Sequence, residues 1–85
     1  MKPKSIDGIK VNKAAQRILD DAGRIIEFKG KAITRVALSK RQWEQLRDAL
    51  VNAAKKQRLP KPEVLSFQEA TSYSYQGAVL YVVNL

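Results

Sequence analysis

Between Asn12 and Gly23 the apolar residues return every three to four positions, at Ala14/Ala15, Ile18, Leu19 and Ala22. That spacing turns one stripe of a helix inward and leaves Lys13, Gln16, Arg17 and Asp20 outside. Asn12 suits the N-cap and Gly23 the left-handed residue that ends a helix, so a helix over Lys13 to Ala22 is expected. Before it, Ile6-Asp7-Gly8-Ile9-Lys10-Val11 alternates loosely around a turn-prone Asp-Gly pair. Two readings of residues 1–11 stay open, an edge strand or an ordered arm.

Beyond Gly23 the period drops to two, which predicts a first β-hairpin over residues 24–38 with its turn at Lys29-Gly30 and with Ile26, Phe28, Val36 and Leu38 on its buried face. Ser39-Lys40-Arg41-Gln42 then forms a capping box, and Leu38 is placed to pack on Trp43 across the helix start. A helix over residues 40–57 carries Trp43, Leu46, Leu50, Ala53 and Ala54 on one side and is halted by Pro60 and Pro62. Lys61-Pro62-Glu63 reads as a loop, and residues 64–85 as a second hairpin about Gln76-Gly77. With a two-residue turn, Tyr73, Tyr75, Ala78, Leu80 and Val82 share one face and Ser72, Ser74, Val79, Tyr81 and Val83 the other. Both faces are partly apolar, so this pair belongs in the middle of a sheet or against another chain. The expected architecture is a small single α+β domain in the order α-ββ-α-ββ, with helices on one face of a mostly antiparallel sheet.

Composition narrows the setting. Eighty-five residues give room for one core, and 45% hydrophobic residues are enough to fold it without a cofactor. With no Cys there are no disulfides and no thiolate ligands, which fits a reducing, cytoplasmic location. The longest apolar stretch, Ala78 to Val83, falls far short of the roughly twenty residues of a membrane span, so no membrane partner is expected. Met1-Lys2-Pro3-Lys4 is not followed by the apolar run of a signal peptide.

His is missing as well as Cys, which removes the usual general base, the commonest metal ligand and every His-dependent triad. Asp20 and Asp21 point to different sides of a helix, and the other acids are scattered. The four glycines sit singly, so no phosphate loop is present. No metal site is expected, and the chain reads as non-catalytic. One enzymatic route remains open, a ribonuclease using Lys, Arg and Tyr to stabilise charge on the scissile phosphate.

Charge carries the main positive signal. All sixteen basic residues lie in residues 1–61 with six acids, while residues 62–85 hold only Glu63 and Glu69. Lys55, Lys56 and Arg58 close a helix, where the macrodipole favours cations whatever the function. Lys40 and Arg41 occupy a first turn, where it disfavours them; the structural explanation is an i,i+4 pair between Lys40 and Glu44. Lys29, Lys31, Arg35, Lys40 and Arg41 are therefore the candidate surface for an anionic ligand, extended by Lys2, Lys4, Lys10 and Lys13. Trp43 and Phe28 fit the core. Tyr73, Tyr75 and Tyr81 have no basic neighbours in sequence, which makes them candidates for a protein interface, including a homodimer through the C-terminal hairpin.

Ile33 to Leu38 followed by the capped helix resembles the opening of ribbon-helix-helix DNA binders, whose strands pair in a dimer and read the major groove. The resemblance extends from Ile33 to Gln57. That family needs a second helix soon after, whereas Leu59-Pro60-Lys61-Pro62 leads into residues of strand composition. The function expected is non-catalytic binding of nucleic acid, DNA or structured RNA, through phosphate contacts. The alternative is a protein-interaction module or inhibitor that docks on an acidic or nucleic-acid-binding surface of a larger assembly.

Overall fold

The computed structural model describes residues 3–29 and 35–83, and the side chains of all of these except 27–29. The elements are β1 (Lys4–Ser5), α1 (Lys13–Lys29), β2 (Arg35–Ser39), α2 (Lys40–Lys56), α3 (Lys61–Glu69), β3 (Ser72–Tyr75) and β4 (Ala78–Val83). The four strands form one sheet in the order β1-β3-β4-β2. The class is α+β as expected, but the sheet is mixed. Only β3 and β4 are antiparallel, while β1 runs parallel to β3 and β2 parallel to β4. Two helices intervene between β2 and β3, which lets the chain return and lay β4 along β2 in the same direction.

Two expectations about local structure are corrected. Arg24 to Lys29 do not form the first strand of a hairpin; they continue α1 through Gly23, which has no positive φ. A mid-helix Gly costs about 1 kcal/mol relative to Ala, and tertiary packing overrides it. Ala15, Ile18, Leu19 and Ala22 are buried, and Ile26 extends the same stripe by one turn. Its N-cap is Asn12, whose Oδ1 accepts from the Ala15 N–H at 2.9 Å. Lys29, expected in the hairpin's turn, is the last residue of α1, while Gly30 and the strand start at Lys31 to Thr34 lie outside the described residues.

The second correction concerns residues 61–69, expected as loop and strand but helical in the structure. The prolines expected to halt α2 begin α3. Pro60 caps it in an extended conformation and Pro62 sits in its first turn, where a missing N–H leaves no bond unmade. Phe67 is its buried anchor. The second hairpin is shorter than expected, and turns at Gln76 and Gly77 with φ of 50° and 80°, the double positive φ of a type I′ turn. Tyr73 pairs with Leu80 and Tyr75 with Ala78, so the facing expected from the sequence holds.

Residues 40–57 behave as the capping box predicts. The Gln42 N–H donates to Ser39 Oγ at 3.2 Å and the Ser39 N–H to Gln42 Oε1 at 3.1 Å. At the other end Arg58 takes φ 55°, and the Arg58 and Leu59 N–H groups donate to the Lys55 and Ala54 carbonyls. This is the helix-ending arrangement that ordinarily uses glycine. The N-terminal segment resolves into the two-residue strand β1, then a turn in which Ile9 N–H donates to the Ile6 carbonyl with Gly8 at φ 81°. Ile6 is fully buried and its N–H donates to Ser74, fastening this arm to β3.

One core joins all three helices to one face of the sheet. Trp43, Leu46 and Leu50 of α2, Phe67 of α3 and Ile18 and Leu19 of α1 pack with Val36, Leu38, Tyr73 and Leu80. β2 shows the alternation directly: Val36 and Leu38 are buried, and Arg35, Ala37 and Ser39 are exposed. Among the described residues no helix is long and apolar enough to cross a membrane.

Candidate functional site

Of the expected cationic surface, the structure describes the side chains of Arg35, Lys40 and Arg41. Lys31 lies outside the described residues, as does Lys2, and the side chain of Lys29, the last residue of α1, is also outside them. Arg35 opens β2, whereas Lys40 and Arg41 open α2 beyond its far end, roughly 13 Å along the strand at ~3.3 Å per residue. All three side chains are exposed. Among the described residues the ion pairs are Lys4 with Glu63, Asp21 with Arg24, and Arg47 with Asp48, so Lys40 is not held by Glu44.

Lys4 has a structural task. Its ammonium pairs with Glu63 and lies 5.1 Å from the centre of the Phe67 ring, tying β1 to α3. Lys10 and Lys13 are exposed and flank the Asn12 cap of α1.

The fold brings Lys10 to two lysines that sequence reasoning set aside. A cleft of about 560 Å³ lies between the segment before α1 and the C-terminal half of α2, lined among others by Lys10, Asn12, Asn52, Lys55, Lys56 and Gln57. Among the described residues no acid lines it. A second groove of about 540 Å³ shares Asn52 and Lys55 and crosses α2 toward Gln68 of α3; its lining includes Arg47 with its partner Asp48. The helix dipole explains why Lys55 and Lys56 sit where they do. It does not explain why Lys10, from another element, joins them around an acid-free cleft. The only sequence signal for this was the absence of acids between Glu44's turn and Glu63 other than Asp48, and it names no partner element for α2.

The three tyrosines separate. Tyr73 is completely buried, so its expected role at an interface is corrected: its face of the hairpin is the one the helices cover. Its ring stacks on Trp43 with centroids 4.6 Å apart, and its hydroxyl donates to the Phe67 carbonyl at 2.9 Å. Burial pushes its pKa up to about 12, partly opposed by Arg47 and assisted by Asp48. Tyr75 is half-buried, and burial with the nearby Asp20 and Asp7 also raises its pKa. Tyr81 lies on the other face, half-buried, with the Arg35 guanidinium 4.8 Å from its ring centre. Such a contact contributes about 0.5–1 kcal/mol at an exposed site.

Among the described residues that other face has no buried one. Across the strands it presents Ser5, Ser72, Ser74, Val79, Tyr81, Val83, Arg35, Ala37 and Ser39, by the register of the four strands. β2, the strand in the ribbon-helix-helix resemblance, is zipped to β4 of the same chain over five residue pairs and is not a free ribbon. Among the described residues no three His, Cys, Asp or Glu side chains gather as a metal site would need. Comparison with known proteins finds no matching family model, no similar curated protein and no similar solved structure, so the chemistry of these two surfaces carries the functional reading.

Proposed function

We propose that this protein is a non-catalytic nucleic-acid binder whose primary phosphate-engaging surface is the lysine cleft between the α1 approach and α2. The observation that carries this is the convergence of Lys10, Lys55 and Lys56, from two elements, around a cleft with no acid among the described residues of its lining. Lysine ammonium groups serve as mobile point charges for phosphates, and the Asn12, Asn52 and Gln57 side chains supply neutral donors beside them. The formal charge of +8 adds long-range attraction for a polyanion.

The test is fluorescence anisotropy with labelled duplex and single-stranded DNA and RNA at two salt concentrations. Affinity is expected to fall by decades as salt rises. The triple variant Lys10→Ala, Lys55→Ala, Lys56→Ala should weaken binding to every probe and flatten the slope of log affinity against log salt by about one per lysine that contacts phosphate. No binding at low salt ends the reading. Cleavage of the RNA probes would end its non-catalytic part.

A further inference from the structure

We infer that the helix-free face of the sheet, centred on Tyr81 with Arg35 laid over its ring, is a stacking platform for the unpaired bases of a single-stranded nucleic acid. This rests on the reading of the protein as a nucleic-acid binder, and adds a second surface specific to strands whose bases are not already stacked in a duplex.

The tyrosines of the hairpin have no basic neighbours in sequence, yet pairing of β2 with β4 sets Arg35 diagonally beside Tyr81. An aromatic ring with a guanidinium against it offers a base two stacking surfaces, the ring and the flat cation, and the same cation can reach a phosphate. The residues flanking Tyr81 on the two neighbouring strands are Ser72 and Ala37, both too small to shield the ring. Ser72 lies opposite Tyr81, with Ser74 farther along the same strand and Ser5 one strand beyond it, and their hydroxyls can donate to or accept from base edges and sugars. Among the described residues of the face the only charged one is Arg35, and none of them repels a polyanion.

A second copy of the chain fits this face less well. Three interstrand spacings of ~4.8 Å by about five residues of ~3.3 Å give a footprint on the order of 250 Å². A standard protein interface takes about 800 Å² from each partner. Two or three nucleotides need far less, and the serines make the face more polar than the centre of a permanent interface.

The experiment compares Tyr81→Ala and Tyr81→Phe with the wild-type chain against an oligothymidine strand and a duplex of equal length. Tyr81→Ala should weaken single-strand binding by about tenfold to a hundredfold and leave duplex binding within about twofold, while Tyr81→Phe, which keeps the ring, should match wild type. Tyr81→Thr, with better strand propensity than Ala, serves as a second ring-less variant should Tyr81→Ala unfold on a urea titration. Unchanged single-strand affinity in a folded ring-less variant overturns the platform, as does equal weakening on both probes. A wild-type dimer in sedimentation that Tyr81→Ala dissociates without altering single-strand binding overturns it in favour of a second copy. If the wild-type chain binds no probe, the parent reading fails; if it binds and the folded ring-less variants bind single strands equally well, the platform alone fails.

Discussion

Tyr73 and Tyr81 stand on adjacent strands one pairing step apart, Tyr73 opposite Leu80 and Tyr81 opposite Ser72, yet they serve opposite sides of the sheet. The first is enclosed by Trp43 and the Phe67 carbonyl. The second is left half-open under one arginine. Same residue type, same hairpin, opposite surroundings: the difference shows that the pleat decides which tyrosine holds the fold and which is free to meet a ligand. The helical side spends its aromatic and aliphatic residues on a dry core. The other side sets serines, Ala37, Val79, Val83 and one arginine around one ring.

The sharpest attack on this contrast is truncation of each ring. Tyr73→Ala should cost about 3–5 kcal/mol of stability, a large part of the ~5–15 kcal/mol of a small domain, because it empties a packed site and removes the stack on Trp43. Tyr81→Ala should cost no more than about 1 kcal/mol. Urea titrations followed by Trp43 fluorescence would measure both, and equal losses would break the contrast.

A smaller effect isolates the hydroxyl. Tyr73→Phe leaves the ring but strands the Phe67 carbonyl, at about 1–2 kcal/mol. It should also change the alkaline limb of stability. With the Tyr73 pKa raised from 10.0 to about 12, the unfolded chain releases its proton first. The folded state therefore holds the extra proton in that window, and the stability present below pH 10 is lost as pH rises from 10 toward 12. The Tyr73→Phe chain should show a shallower fall, read by denaturant titrations across that range.

Smallest is the margin of the covered side. A Cβ on Gly23 would meet the Gln76 side chain at 3.6 Å, an ordinary contact, in a helix whose backbone there has no positive φ. Gly23→Ala is expected to stabilise by up to about 1 kcal/mol in thermal unfolding, through helix propensity alone. A loss instead would show that the covered side is as tightly closed at the hairpin turn as it is at Tyr73.

The features legible in the sequence are those written within a few residues. The Asn12 cap, the Ser39 capping box and the Gln76-Gly77 turn each satisfy backbone groups with neighbours three or fewer positions away. What misled was punctuation with two meanings. Gly23 can end a helix or sit inside one, and only burial of Ile26 on the same stripe settles it. Pro60 and Pro62, which read as a stop for α2, start the next helix, and α3 has a single buried residue to signal it, Phe67. The candidate surfaces were less legible still, since Lys10 with Lys55 and Arg35 with Tyr81 are each joined only by tertiary structure. Of the expected surface, Lys40 and Arg41 remain exposed but stand apart from both.

The strand order β1-β3-β4-β2 also governs how the molecule must be assembled in time. β3 and β4 come latest among the elements, yet they occupy the centre of the sheet, and β1 and β2 touch nothing of it except them. A nascent chain that has emerged only through α3 thus has two orphan edges, no middle, and helices whose apolar stripes have no sheet to cover. Such long-range pairing is slow to find, so for its size this domain should fold late and nearly all at once, and be most in need of shelter just before its last hairpin appears.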